Sequence, residues 1–114
     1  MIAHESTCVK LPEELPFEIG AYLACGASTA YHALKKLSIS DSETIAIFGQ
    51  GPVGLAATMF GKEMGAKIIA VDISKERLNL AQKAGAWKLV DASHGDSQSP
   101  VSYTHLTLPT SDLV

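Results

Sequence analysis

The chain has no apolar run of the roughly 18 residues that a membrane-crossing helix needs, no basic excess, and only two cysteines among its 114 residues. Each absence removes a class of function. A formal net charge of -3 and a pI near 5.7 give no positive field to gather nucleic acid or an anionic membrane surface, so neither partner is expected. Cys8 and Cys25 are too few for a disulfide framework and form no CxxC pair, which suits a reducing compartment and predicts a cytoplasmic protein. The opening Met1-Ile2-Ala3-His4-Glu5 lacks the charged and apolar regions of a secretory leader. What remains is an ordinary composition, 46% hydrophobic, in a length that allows one domain and not two.

Residues 1–28 hold a short extended piece at Thr7 to Leu11, prolines at Pro12 and Pro16, and a small-residue run from Ile19 to Ala27, with no visible core. Pro16 suits the first turn of a helix, where its missing N–H costs nothing. From Thr29 to Leu37, Ala30, Ala33, Leu34 and Leu37 recur at helical spacing, and Lys35 and Lys36 suit the C-terminal end of the helix dipole. After a polar break, Thr44-Ile45-Ala46-Ile47-Phe48 reads as a strand buried on both faces. Val53, Ala57, Phe60 and Met64 then form a helical stripe closed by Gly65 in a left-handed cap. Lys67 to Val71 predicts a second strand, Ser74 caps a helix with the stripe Leu78, Ala81 and Ala84 closed by Gly85, and Trp87 to Val90 starts a third strand. This order implies a parallel α/β sheet with right-handed crossovers, βαβαβ.

The chemistry sits where the first strand meets its helix. Gly49-Gln50-Gly51-Pro52-Val53-Gly54 fits G-x-G-x-x-G. Gly49 permits a tight turn, Gly51 admits a pyrophosphate to the backbone, and Gly54 allows close packing of the helix, whose positive end near Pro52 and Val53 faces the phosphates. As a bare pattern this is only a turn. Its context, between a buried strand and a second strand ending in an acid, predicts the first half of a Rossmann nucleotide-binding sheet. Asp72 lies 18 residues beyond Gly54, near the spacing of about 20 for an acid that accepts from an adenosine ribose. A carboxylate there repels a 2′-phosphate, and Ile73 offers no cation to reverse the preference, so NAD is expected over NADP. Arg77 either reaches the ribose or the adenine face or is a solvated surface residue; the sequence leaves both open.

Leu23-Ala24-Cys25-Gly26-Ala27-Ser28-Thr29-Ala30-Tyr31, the glycine motif, and Ala70-Val71-Asp72-Ile73 with Glu76-Arg77-Leu78 together resemble the medium-chain dehydrogenase/reductase family, particularly its zinc-dependent alcohol dehydrogenases, over roughly residues 1 to 92. The resemblance implies that Cys25 is a ligand of a catalytic zinc, that Thr29 lies beside the nicotinamide, and that Val53 follows a position packing near it. It also implies that the other zinc ligands come from a barrel-like domain preceding Met1, with Met1 an internal methionine and the complete protein a homo-oligomer. Without the family, Cys25 reads as a small buried hydrophobe. His4, His32, His94 and His105 show no metal spacing with one another or with Cys25. His32 reads as a surface or packing residue.

From Ser93 to Val114 serine, threonine, glycine and proline dominate and no period survives. Val101-Ser102-Tyr103-Thr104-His105-Leu106-Thr107-Leu108-Pro109-Thr110 is similar to one reading frame of a transposase adapter used for sequencing libraries, so the native reading frame is expected to stop between Ser93 and Pro100. The expected organisation is therefore residues 1–28 as the end of a GroES-like catalytic domain, 29–98 as part of a cofactor domain, and 99–114 as an unstructured non-native tail. The expected activity of the complete protein is hydride transfer between a small alcohol or carbonyl substrate, of alcohol or polyol type, and NAD, with the 114-residue chain alone inactive. A non-catalytic nucleotide-binding module and a zinc-free quinone-oxidoreductase-like reductase are the competing readings.

Overall fold

The computed structural model describes residues 1–93. His94, His105 and the adapter-like segment lie outside the described residues. A 3-10 turn at Glu5–Thr7 is followed by α1 (Phe17–Tyr22), a π-helical turn (Leu23–Ala27), α2 (Ser28–Lys36), β1 (Thr44–Phe48), α3 (Pro52–Glu63), β2 (Lys67–Asp72), α4 (Lys75–Lys83) and β3 (Lys88–Asp91). The three strands form one parallel sheet in the order β1-β2-β3. Ile47 lies opposite Ala70, and Ala70 opposite Leu89. The architecture is the βαβαβ half of a Rossmann sheet. Among the described residues no helix is long and apolar enough to cross a membrane.

The expected elements appear within a residue or two of their places, and the sheet sorts its residues by the alternation of a strand. Ile45, Ile47 and Ile68 face Ala30 and Leu34 of α2 and Ala56 and Ala57 of α3 in the main core. Ala70 packs with Leu78 and Ala81 of α4, together with Leu55 and Leu89. Leu34, Ile47 and Ile68 are at most 1% exposed, and each such side chain contributes about 1.5–3 kcal/mol by leaving water. The opposite face carries Ala46, Val71, Ile69 and Val90, which cluster with no helix residue among them. Gly65 and Gly85 close α3 and α4 with φ of 92° and 105°, as their positions predict.

Two local expectations are revised. Thr7 belongs to the 3-10 turn and not to the extended piece, its hydroxyl donating to the His4 carbonyl at 2.7 Å and the Ser6 N–H donating to His4 Nδ1, and extended backbone begins at Cys8. Among the described residues no strand pairs with this stretch, and local side-chain bonds set the turn. Pro16 stands one position earlier than expected, as the residue before the first turn of α1. The helical backbone then runs without a break from Phe17 to Lys36, across the expected boundary at 28/29.

Candidate functional site

The site is built at the C-terminal end of β1. Gly49 continues the sheet by donating its N–H to the Val71 carbonyl at 2.8 Å, then turns the chain away with φ of 85°, a conformation that glycine adopts without cost. A Cβ at Gly54 would collide with the Gly49 carbonyl oxygen, so α3 begins in direct contact with the turn. A Cβ at Gly51 would meet nothing within 4 Å: the backbone there borders open space. Pro52 is the first residue of α3, no side chain caps the helix, and its first internal bond is from the Leu55 N–H to the Gly51 carbonyl. The N–H groups of Val53 and Gly54 precede that bond and carry the positive end of the helix dipole. This open, donor-rich cradle fits a pyrophosphate.

Asp72 closes the other side. It ends β2 and is 6% exposed. Its Oδ2 accepts from the Gln50 N–H at 2.6 Å and its Oδ1 from the Ser74 N–H at 2.8 Å. Burial acts to raise the carboxyl pKa, but the N–H groups of Gln50, Ser74 and Ile73 and the charge of Arg77 outweigh it and hold the group below its ordinary value of 3.8. An ionised carboxylate has about four acceptor positions, so with the Gln50, Ser74 and Ile73 N–H groups on it it keeps capacity for a ribose hydroxyl.

Next to Asp72 a cleft of about 560 Å³ is lined by Asp72, Ile73, Ser74, Glu76, Arg77 and Leu80. Arg77 is exposed; its backbone N–H donates to Ser74 Oγ at 3.4 Å and its side chain borders the cleft. On the opposite side of the turn, the π-helical segment lies against the start of α3. The Tyr22 hydroxyl donates to the Pro52 carbonyl at 3.0 Å, and a Cβ at Gly26 would lie 3.2 Å from the Tyr22 ring and 3.9 Å from Val53. Cys25 therefore stands on the turn that touches the glycine motif, exposed and free, with Thr29 exposed four residues on and Val53 40% exposed. Cys25 is not the small buried hydrophobe that its apolar neighbours suggest. A catalytic zinc takes about three protein donors, and among the described residues no cluster of three or more His, Cys, Asp or Glu side chains is placed to hold a metal.

Sequence reasoning missed Gln50 and Thr58. Both are fully buried. Gln50 Nε2 donates to the Ile47 carbonyl at 3.2 Å, while Thr58 Oγ1 lies 2.9 Å from Gln50 Oε1 and 3.0 Å from the Gly54 carbonyl and donates its one proton to one of them. Their signal was a polar residue between two glycines and a threonine one turn after Gly54, on the inward side of an otherwise apolar stripe.

The parallel βαβαβ unit with its glycine turn and strand-end acid defines the class, a Rossmann-type nucleotide-binding half. The family model described as zinc-binding dehydrogenase matches residues 52–105. The chain is 41% identical over 86 residues to the uncharacterised zinc-type alcohol dehydrogenase-like protein YphC of Escherichia coli, covering 75% of this chain and 24% of that protein. It is 37% identical over 106 residues to an alcohol dehydrogenase of Geobacillus stearothermophilus, covering 90% and 32%. It is 42% identical over 83 residues to D-xylulose reductase A of Aspergillus niger, covering 72% and 23%. Among solved structures, acetophenone reductase from Geotrichum candidum in complex with NAD superposes with a TM-score of 0.70 at 32% identity, over 73% of this chain and 24% of the other. Escherichia coli quinone oxidoreductase complexed with NADPH superposes with a TM-score of 0.75 at 28% identity, over 85% and 30%. The chain belongs to the medium-chain dehydrogenase/reductase family, among its zinc-binding dehydrogenases. It spans about a quarter to a third of the length of the curated relatives it matches.

Proposed function

We propose that the complete protein is a zinc-dependent, NAD-linked alcohol or polyol dehydrogenase, and that this chain supplies the adenosine and pyrophosphate side of its cofactor site. The observation that carries the reading is the Asp72 carboxylate, held ionised by the Gln50 and Ser74 N–H groups at the rim of an open glycine turn. In this reading Gly49, Gly51, Pro52, Val53 and Gly54 receive the pyrophosphate at the α3 N-terminus, Asp72 accepts from the ribose hydroxyls, and Arg77 borders the adenosine cleft. Thr29 lies beside the nicotinamide, Val53 follows a position that packs near it, and Cys25 contributes one zinc ligand. When bound, NAD accepts hydride and zinc polarises the alcohol oxygen as a Lewis acid; the residues of this chain bind and orient. Residues 1–28 belong, on this reading, to the catalytic domain and residues 29–98 to the cofactor domain. The two free cysteines suit a cytoplasmic enzyme.

A second reading, a zinc-free reductase using NADPH, is favoured by the likeness to the quinone oxidoreductase holding that cofactor. Steady-state kinetics of the complete protein with both cofactors, and the zinc content of Cys25→Ser, separate the two. The proposal expects a higher kcat/KM with NAD and a loss of bound zinc in the variant. A higher kcat/KM with NADP together with unchanged zinc would replace it with the second reading.

A further inference from the structure

Gln50 has a part in this turn that neither the glycine pattern nor the ribose acid accounts for. Its side chain is 0% exposed, and a buried amide is costly unless its donors and acceptor are met. All of its partners belong to the elements that frame the cradle. Nε2 donates to Ile47 at the end of β1, Oε1 faces the Thr58 hydroxyl on α3, and the backbone N–H donates to Asp72 at the end of β2. One residue thus ties three elements at the point where their spacing sets the distance from the pyrophosphate turn to the ribose acid. An apolar side chain of similar volume would fill the same space but would leave the turn free to shift against α3 and Asp72.

We infer that Gln50 and Thr58 are positioning residues that hold the glycine turn in register with Asp72, so that the buried amide-hydroxyl pair sets cofactor affinity and discrimination. This rests on the reading of the cradle as an NAD site. The pair acts on the adenosine-pyrophosphate half of the cofactor and leaves the reacting half alone, which gives a signature that a merely structural role lacks.

The test compares Thr58→Val, which keeps the shape and removes the hydroxyl, with Thr58→Ser, which keeps the hydroxyl, in the complete protein. Thr58→Val is expected to raise KM for NAD roughly tenfold while lowering kcat by less than about twofold, with each tenfold change corresponding to about 1.4 kcal/mol. The dissociation constant for ADP-ribose, which lacks the nicotinamide, is expected to rise by the same factor, and the preference for NAD over NADP to narrow. Thr58→Ser is expected to stay near wild type on all three. A fall in melting temperature with KM and ADP-ribose affinity unchanged overturns the inference, as does an equal KM rise in both variants. Should Thr58→Val not fold, Gln50→Asn serves instead, because its amide is one methylene too short to reach Ile47 and Thr58 together; unchanged ADP-ribose affinity there overturns the inference too. Failure of the underlying NAD reading shows separately, as wild-type protein that binds no ADP-ribose.

Discussion

The two ends of the described chain differ sharply in what they bury. From Met1 to Cys25 no residue is buried, and Met1, Val9 and Phe17 stand 121%, 93% and 87% exposed. From Thr44 to Asp72 the strands, the glycine turn and α3 bury Ile45, Ile47, Ala57, Ile68 and Ala70 together with the polar Gln50, Thr58 and Asp72. The N-terminal segment is held by bonds within a few residues, such as those around His4, and is joined to the rest through Tyr22 and Gly26. The β1-α3-β2 unit is held by contacts among its own elements. The glycine turn and its strand-end acid can therefore be firmly packed while the segment beside them, carrying Cys25, offers surfaces with no partner among the described residues.

Three substitutions in the 114-residue chain sharpen that contrast. The largest effect is expected for Gly54→Ala, because the new methyl has the backbone oxygen of Gly49 in its way and neither group is flexible. A loss of about 3 kcal/mol follows from overpacking of this kind, seen as a lowered urea midpoint. A midpoint equal to wild type would mean that α3 does not start against the turn.

Asp72→Asn comes next, at about 2 kcal/mol, because two backbone N–H groups lose a charged acceptor. The same residue gives a pH signature. Its folded pKa lies below the ordinary 3.8, so its contribution is fully present above that value and is lost as pH falls through the folded pKa. Wild-type stability should hold steady from neutrality to about pH 5 and drop below about pH 4, and Asp72→Asn should flatten the drop. Urea titrations at pH 7, 5 and 3 read this directly; identical slopes for the two proteins would remove Asp72 from the account.

The smallest effect is expected for Phe17→Ser. An exposed side chain with little to lose should shift the midpoint by no more than about 0.5 kcal/mol. A shift as large as that of Asp72→Asn would erase the difference between the two regions.

How much of this was legible depends on the range of the interactions. The strands Thr44–Phe48 and Lys67–Asp72, the caps at Ser74, Gly65 and Gly85, and the glycine turn follow from side-chain period and local backbone chemistry, and all stand where the residues place them. Thr7, expected to open an extended piece, instead closes the 3-10 turn, because the His4 and Ser6 side chains bond locally there. The exposure of Cys25 was equally hidden: its neighbours Leu23, Ala24 and Ala27 are apolar, yet the π-helical turn leaves its side chain outside.

The sequence by itself determined the order of elements, the turn at Gly49 and the placement of an acid at the end of the second strand, because each depends on residues close together in the chain. Only the tertiary structure decided that Asp72 grips the Gln50 N–H across 22 positions, that Gln50 and Thr58 are buried behind the turn, and that Cys25 stands beside the glycine motif. These are meetings between elements, and a pattern of spacing carries no information about which polar atoms face each other once the helices have packed.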